Sequence, residues 1–468
     1  MYFSSISFLF FFFPVVFLIY IILSFHRGLQ NIWLFVVGII FYAWGEPVYI
    51  ILLLVSIVFN WFMGLRIEKR KIKSAKGILL FACVCNLSIL ILFKYIAPLS
   101  EGYGISLTLP LGISIYTFQA ISYLVDIYRK DIIAEKNLLY MGLYLSFFPK
   151  VLLGPMMKYA DFREQIKYRT NTYRKCAVGA CRFVTGLGKK VLLADTLAVL
   201  SDVVFSYSAM GRENFQVPAI MAWIGLIAFV LQIYFDFSGY TDMAIGLGLM
   251  FGIKLDENFD YPYSTLSVRD FWKRFNITLM SWFHDYVYLP LGGSKNKNKD
   301  SMVKNLFITW LLISVWHGAK GNFLLWGMWN FFFLLLEYFI GYAENSRYKI
   351  LMHVYTLMII SLGFVLLRTQ DMYQAGQYYM NMFASNYNGI WNGLTGFLLK
   401  EYWMFLVTGC IFSYPVAKMI NQRLTHNKMT IFGKIWTIVY PIAMFGVFLL
   451  SLSYLIRNQV AMFWYFRY

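Results

Sequence analysis

The 468-residue chain is 60% hydrophobic and 20% aromatic, with only 14% charged residues, well below the roughly one-quarter charged content of soluble domains. This balance excludes a water-soluble globular fold and predicts an all-α, polytopic integral membrane protein. The formal net charge of +18 lies in short clusters between apolar runs, which excludes one continuous nucleic-acid-binding patch.

Apolar runs of about 20 residues, the length that crosses a hydrocarbon core of roughly 30 Å, recur along the chain. About eleven of them are long enough to span or nearly span. The first, Phe8 to Ser24, lacks the basic leader and small-residue cleavage site of a signal peptide, so it reads as a retained helix. Segments 30–45 and 48–65 follow and deliver Arg66, Lys69, Arg70, Lys71, Lys73 and Lys76 to the cytoplasm under the positive-inside rule. The same rule places 158–175, the loop with Lys295, Lys297, Lys299 and Lys304, and Lys418 to Lys434 on that side.

Simple alternation fails between Leu109 and Met157. One of the two apolar segments there must enter and leave on the same side, aided by the breakers Pro110, Gly112, Pro149, Gly154 and Pro155. Gln232 to Tyr288 is too polar for an ordinary span and too aromatic for a free loop, so a surface-lying or re-entrant platform is expected, anchored by Trp272, Trp282, Tyr286 and Tyr288. LLISVWHGAKGNFLLWG (311–327) reads as a bent hairpin: apolar residues run to Trp316, about 20 Å of rise from Lys304. Gly318 and Gly321 then let the chain turn, and 323–340 leads back to Glu344, Arg347 and Lys349. Segments 351–367, 403–417 and 435–456 alternate normally and leave the C-terminus outside.

Five cysteines (Cys83, Cys85, Cys176, Cys181, Cys410) form neither a disulfide framework nor a metal spacing. No Gly-rich nucleotide loop is present. Chemistry is therefore sought in the membrane body. His317 sits at the hairpin tip, and an ionisable group at membrane depth is by default a functional hypothesis; an unperturbed pKa near 6.5 suits it to general-base work. Its structural alternative is a side chain satisfying backbone groups freed by the break. Asn276 can donate to a developing oxyanion or cap a helix. Asp236, Ser238, Tyr240 and Asp242 place two acids in an apolar context that can coordinate a cation, orient a histidine or pair with Arg269, Lys273 or Arg274, and pairing is expected because buried acids need partners whatever their role. His284 and Asp285 with the same basic run can attract phosphates, bind lipid headgroups or obey the topology rule. His26, His353 and His426 lie at segment ends or in loops and carry no functional expectation.

Further motifs run nearly end to end: FSSISFLFFFFP (3–14), FYAWGEP (41–47), LPLGISIYTFQAISYLVDIYR (109–129), FFPKVLLGP (147–155), GLGKKVLLADTLA (186–198), QIYFDFSGYTDMAIGLGLMFG (232–252), ENFDYPY (257–263), FHDYVYLPLGG (283–293), WHGA (316–319) and the terminal FWYF. On these residues the chain resembles the membrane-bound O-acyltransferase (MBOAT) family, in the bacterial branch that O-acetylates alginate and peptidoglycan. The resemblance implies a single membrane-embedded domain over 1–468, with an acyltransferase core at about 105–345. It implies acetyl transfer from cytoplasmic acetyl-CoA, a donor substrate, with no tightly bound cofactor and no metal. An exported cell-surface polysaccharide receives the group, through an extracytoplasmic transferase- or esterase-like partner. The implied location is the bacterial cytoplasmic membrane, in contact with the lipid bilayer, and nucleic acid is not a partner. The family's catalytic histidine falls on His317. Asn276 stands where this branch usually has a second histidine, in KRFNITLMSW; other branches of the wider family carry asparagine there. Trp316, Trp272, Arg274, Asp236, Ser238, Tyr240 and Asp242 are the expected substrate-binding residues. A sister branch that moves D-alanine from a carrier protein towards teichoic acids supplies the alternative activity, and a transporter built on broken helices is the non-enzyme alternative.

Overall fold

A computed structural model describes residues 2–97, 108–210, 217–293, 299–318, 320–341, 348–385, 388–426 and 431–457. Ala319 of the hairpin tip, Lys295, Lys297, Glu344, Arg347 and the terminal FWYF lie outside the described residues. The described residues are mainly helical, and ten of the described helices are long and apolar enough to cross a membrane. Their outward flanks carry bare apolar side chains such as Phe11 (71% exposed) and Ile350 (83%), a surface that only lipid satisfies.

The described chain divides into two compact units interleaved in sequence. One comprises the described residues up to Gly186 and Tyr240–Glu257; the other comprises Leu187–Gly239 and Asn258–Arg457. In the first, helix Arg27–Gly45 packs on Leu138–Ser146, and helices Ile50–Glu68 and Ile72–Ile91 both pack on Ile113–Arg129. Nearly every side chain of that last helix is buried, including polar Ser114, Thr117, Gln119 and Asp126, so it forms the centre of the unit. Asn60 and Asn86 exchange amide hydrogen bonds of 3.1 and 2.8 Å. Such a buried pair joins two helices where the apolar solvent supplies no hydrophobic drive.

The expected interruption after Asn137 is present: Leu138–Ser146 ends at Phe147, and only the single turn Phe148–Val151 follows. Lys150, fully buried there, donates to Gln119 Oε1 at 2.9 Å and lies over the Tyr144 and Phe162 rings. Non-helical backbone at this point is therefore buried in protein, the condition under which a membrane tolerates it.

In the second unit, helix Lys299–His317 packs on Gly321–Ile340, which packs in turn on Lys349–Arg368. The first of these is the hairpin leg. Its 19 residues rise about 28 Å, more than the apolar run alone, because a polar first turn with Asp300 and Ser301 extends it on the basic side. Gly318 does not turn through a left-handed backbone, since neither it nor Gly321 is among the positive-φ residues. A Cβ at Gly318 would instead lie 2.8 Å from the Phe323 ring. Gly327 is the tighter constraint. A Cβ there would meet Ser314 Oγ at 1.6 Å and the Trp310 carbonyl at 3.2 Å, so the legs touch backbone to side chain, in the small-residue manner of membrane helices. Gly327→Val is expected to splay the hairpin, lowering the thermal midpoint of the detergent-solubilised protein and, because His317 ends one leg, reducing its activity. An unchanged midpoint would show that the legs are not held this closely.

One expectation is corrected. Gln232 to Met250 is not part of a surface platform but belongs to the continuous 32-residue helix Ala219–Met250, the most deeply buried of the ten candidate spans at 72% of its apolar window. Its polar residues are enclosed by protein, so they do not break the helix. Residues 268–288 form a separate passage of short elements, helices Val268–Arg274 and Ile277–Phe283 and the turn His284–Tyr288, but Trp272, expected there as an interfacial anchor, is buried in protein at 7% exposure.

Candidate active site

His317 is the last residue of the first hairpin leg and is half-buried. Its imidazole is held edge-on between two indoles, 4.7 Å from Trp316 and 4.9 Å from Trp326, with Phe323 at 6.2 Å. Trp326 continues the aromatic contact inward to Trp272 at 5.6 Å and Trp310 at 5.9 Å, and these two meet at 5.2 Å. Trp326 is only 2% exposed, and its indole N–H has no acceptor among the described residues. Three of the sequence-predicted residues, His317, Trp316 and Trp272, thus share one aromatic cluster through a fourth, Trp326, that sequence reasoning missed.

The cluster is braced by polar contacts. Asn330, one turn after Trp326, accepts from Trp272 Nε1 at 2.9 Å and donates to the Trp326 carbonyl at 2.8 Å. The short helix Val268–Arg274 that carries Trp272 is capped twice: Ser267 Oγ accepts from Asp270 N–H at 3.0 Å, and the buried Glu337 carboxylate accepts from the Val268 and Arg269 N–H groups at 2.7 and 3.1 Å. A carboxylate on free helix-start donors gives strong charge-assisted bonds. Glu337→Ala is expected to destabilise by about 2 kcal/mol, since two buried donors lose their partner. Protein unfolding within ~0.5 kcal/mol of wild type, the range of a neutral surface change, would refute that.

Asn276 follows directly and adopts a left-handed conformation, φ 52° and ψ 53°, which asparagine tolerates better than most residues. It precedes helix Ile277–Phe283 without capping it through its side chain. Its Oδ1 accepts from Asn258 Nδ2 at 3.1 Å, and its NH2 group has no partner among the described residues. The fold around it comes from ENFDYPY: Ile277 N–H donates to the Asn258 carbonyl at 2.9 Å, Asp260 N–H donates to the Arg274 carbonyl at 3.1 Å, and Phe259 and Phe275 form an isolated antiparallel bridge. Tyr263, whose phenol burial pushes well above its ordinary range, stays protonated and donates to the Val230 carbonyl at 2.6 Å.

The remaining predicted residues sit elsewhere in the contact pattern. Asp236 and Asp242 do not pair with Arg269, Lys273 or Arg274. Asp236 lies 2.7 Å from Lys190 Nζ, which also reaches Asp195 at 2.8 Å. Asp242 takes Arg182 at 2.6 Å, and Arg182 also takes Glu257 at 2.5 Å. Both cations come from the stretch Tyr173–Met210, because Arg274 is occupied within its own helix by Asp270 at 2.9 Å. Ser238 is buried, as is Tyr240, which stacks on Phe3 at 4.9 Å. His284 bonds its neighbour Asp285 at 3.0 Å and is exposed. His353 is more than a segment-end residue: its Nδ1 donates to the Thr265 carbonyl at 2.8 Å and its Nε2 pairs with the Tyr414 hydroxyl. Among the described residues no group of three His, Cys, Asp or Glu side chains is gathered for a metal ion.

A half-buried histidine thus ends one of two closely packed apolar legs inside a many-helix membrane protein. The chain belongs to the membrane-bound O-acyltransferase family, whose model matches residues 129–367. It is 38% identical over 400 residues to the Pseudomonas aeruginosa protein named "Probable alginate O-acetylase AlgI", covering 82% of this chain and 75% of that one. It is 34% identical over 418 residues to the peptidoglycan O-acetyltransferase of Helicobacter pylori, covering 80% and 78%. To the teichoic acid D-alanyltransferase of Bacillus subtilis it is 27% identical over 249 residues, covering 51% and 61%.

Proposed function

We propose that this multi-pass membrane protein is an O-acetyltransferase that takes the acetyl group of cytoplasmic acetyl-CoA towards a hydroxyl of an exported cell-surface polysaccharide, directly or through an extracytoplasmic partner, in a bacterial cytoplasmic membrane. The observation that carries the reading is His317, half-buried between the indoles of Trp316 and Trp326 at the end of a hairpin leg. Apolar walls keep bulk water from competing for the thioester, while the imidazole remains reachable. The acceptor hydroxyl gives its proton to the imidazole as its oxygen bonds the thioester carbonyl carbon. The carbon–sulfur bond then breaks, and the departing thiolate recovers the proton from the imidazolium. The carbonyl oxygen, negative in between, needs a donor, and the uncommitted NH2 of Asn276 fills that role.

Identity and coverage are greater for the two O-acetylating relatives than for the D-alanylating one, which favours acetyl over D-alanyl transfer. The test is purified protein in liposomes with acetyl-labelled acetyl-CoA and soluble oligosaccharides of alginate and peptidoglycan type. Free CoA released together with ester-linked acetate is the expected result. Solute uptake with no CoA released would favour a transporter, and labelling only from a D-alanyl-loaded carrier protein would favour the sister activity.

A further inference from the structure

We propose that Asn258 is the positioning residue that makes residue 276 a hydrogen-bond donor to the substrate. The inference rests on the acetyltransferase reading above and concerns how its oxyanion donor is oriented. An amide side chain can present either end, and what decides here is a backbone group that has no choice. Thr278 N–H must donate, and it donates to Asn258 Oδ1 at 3.0 Å; the Thr278 hydroxyl adds a second bond to the same oxygen at 2.9 Å. With its oxygen fixed on that side, Asn258 turns its NH2 towards residue 276, where it donates to Asn276 Oδ1 at 3.1 Å. The Asn276 oxygen is thereby taken, and the NH2 is the end left to donate.

Asn258 is 3% exposed, so reversing its amide would face its NH2 to a buried N–H and leave two donors opposed. The left-handed backbone of Asn276 and the bond from Ile277 N–H to the Asn258 carbonyl at 2.9 Å keep the two amides in register. The same logic fits an imidazole at position 276: its Nδ1 lone pair would accept from Asn258, leaving Nε2–H as the donor. An acid at position 258 could accept from Thr278 but could not donate to residue 276, and an acid at 276 would offer the substrate no N–H.

The decisive variant is Asn258→Asp, measured in the full-length protein with acetyl-CoA and a soluble oligosaccharide. A carboxylate keeps both bonds from Thr278, so the fold is retained, but it cannot donate. It captures the Asn276 NH2 and turns that oxygen towards the reacting carbonyl. The expected result is a fall in kcat of roughly a hundredfold, the usual loss of one oxyanion donor, with the KM for acetyl-CoA changed by less than about threefold. Asn276→His is expected to keep at least about a tenth of wild-type kcat, whereas Asn276→Leu falls with Asn258→Asp. In Asn258→Asp/Asn276→His, the imidazole donates one N–H to the carboxylate and offers a second only when protonated. Activity should return with a new limb that rises as the pH is lowered, which a merely structural Asn258 would not produce. Wild-type kcat in folded Asn258→Asp overturns the inference. So does an Asn276→His protein as inactive as Asn276→Leu, which decides the matter even where Asn258→Asp does not fold. If the wild type itself releases no CoA, the acetyltransferase reading falls and takes this inference with it. CoA release abolished by loss of His317 but untouched in Asn258→Asp sinks the inference alone.

Discussion

His317→Gln is expected to abolish the proposed acetyl transfer while leaving the protein inserted and folded. Glutamine fills part of the space between Trp316 and Trp326 and can still hydrogen-bond, but it cannot take up a proton near neutral pH. General-base catalysis is removed, worth roughly 10²–10⁴-fold, and little remains for a reaction whose nucleophile is an unactivated hydroxyl. The structural cost is smaller: the two edge-on aromatic interactions of the imidazole are worth about 0.5–1.5 kcal/mol each beyond area burial, enough to lower a thermal midpoint modestly but not to unfold the chain. His317→Gly adds a second reading of the same site. It leaves an imidazole-sized space bounded by two indoles, so free imidazole in the buffer should restore part of the rate, with a pH dependence that follows imidazole itself. Ester-linked acetate formed at the wild-type rate by His317→Gln, in protein shown to be inserted, would end the general-base assignment.

The hairpin was legible because its signal is local. An apolar run ending at Trp316, a histidine, two glycines and a second apolar run fix a break wherever the rest of the chain goes. Family resemblance added the role of His317. The long-range partners were not legible. Trp326 reads as one more tryptophan in a helix already rich in them, and its contact with the imidazole depends on how closely Gly327 lets the legs approach. Nearness in sequence suggested Arg269, Lys273 and Arg274 for Asp236 and Asp242. The actual cations, Lys190 and Arg182, lie 46 and 60 positions upstream. The polarity of YFDFSGYTD argued against an uninterrupted helix because a polar side chain in lipid is costly, and that cost vanishes once the helix is enclosed by protein. The i, i+4 spacing of Trp326 and Asn330 was the one available sign that Asn330 braces the cluster. ENFDYPY was recognisable as a motif, but only the hydrogen bonds of Asn258 say what it does.

Removing the amine of Lys190 should be the most destabilising single change outside the hairpin. Lys190 is 1% exposed and Asp236 is 2% exposed; Nζ lies 2.7 Å from Asp236 Oδ1 and 2.8 Å from Asp195 Oδ1. It stands in the π-helical turn Lys189–Ala194, between Leu187 and the helix Asp195–Met210. Such a turn inserts an extra residue and re-aims the side chains beyond it. A single cation here serves two carboxylates. Lys190→Met keeps the length and much of the packing of the stem but takes the ammonium from the buried Asp236 and the partly exposed Asp195, and breaking a buried pair in this way costs about 3–5 kcal/mol. Asp236→Asn should cost less, because Lys190 keeps Asp195 and the amide still hydrogen-bonds. Lys190→Met/Asp195→Asn/Asp236→Asn, with no charge left to strand, should recover much of the loss in the single lysine variant, since buried ion clusters are often replaceable as a set. The expected order of thermal midpoints in detergent is wild type, then Asp236→Asn, then the triple variant, then Lys190→Met. A Lys190→Met protein as stable as wild type would mean that the two carboxylates find other partners or protons, and that the cluster does not hold this part of the membrane body together.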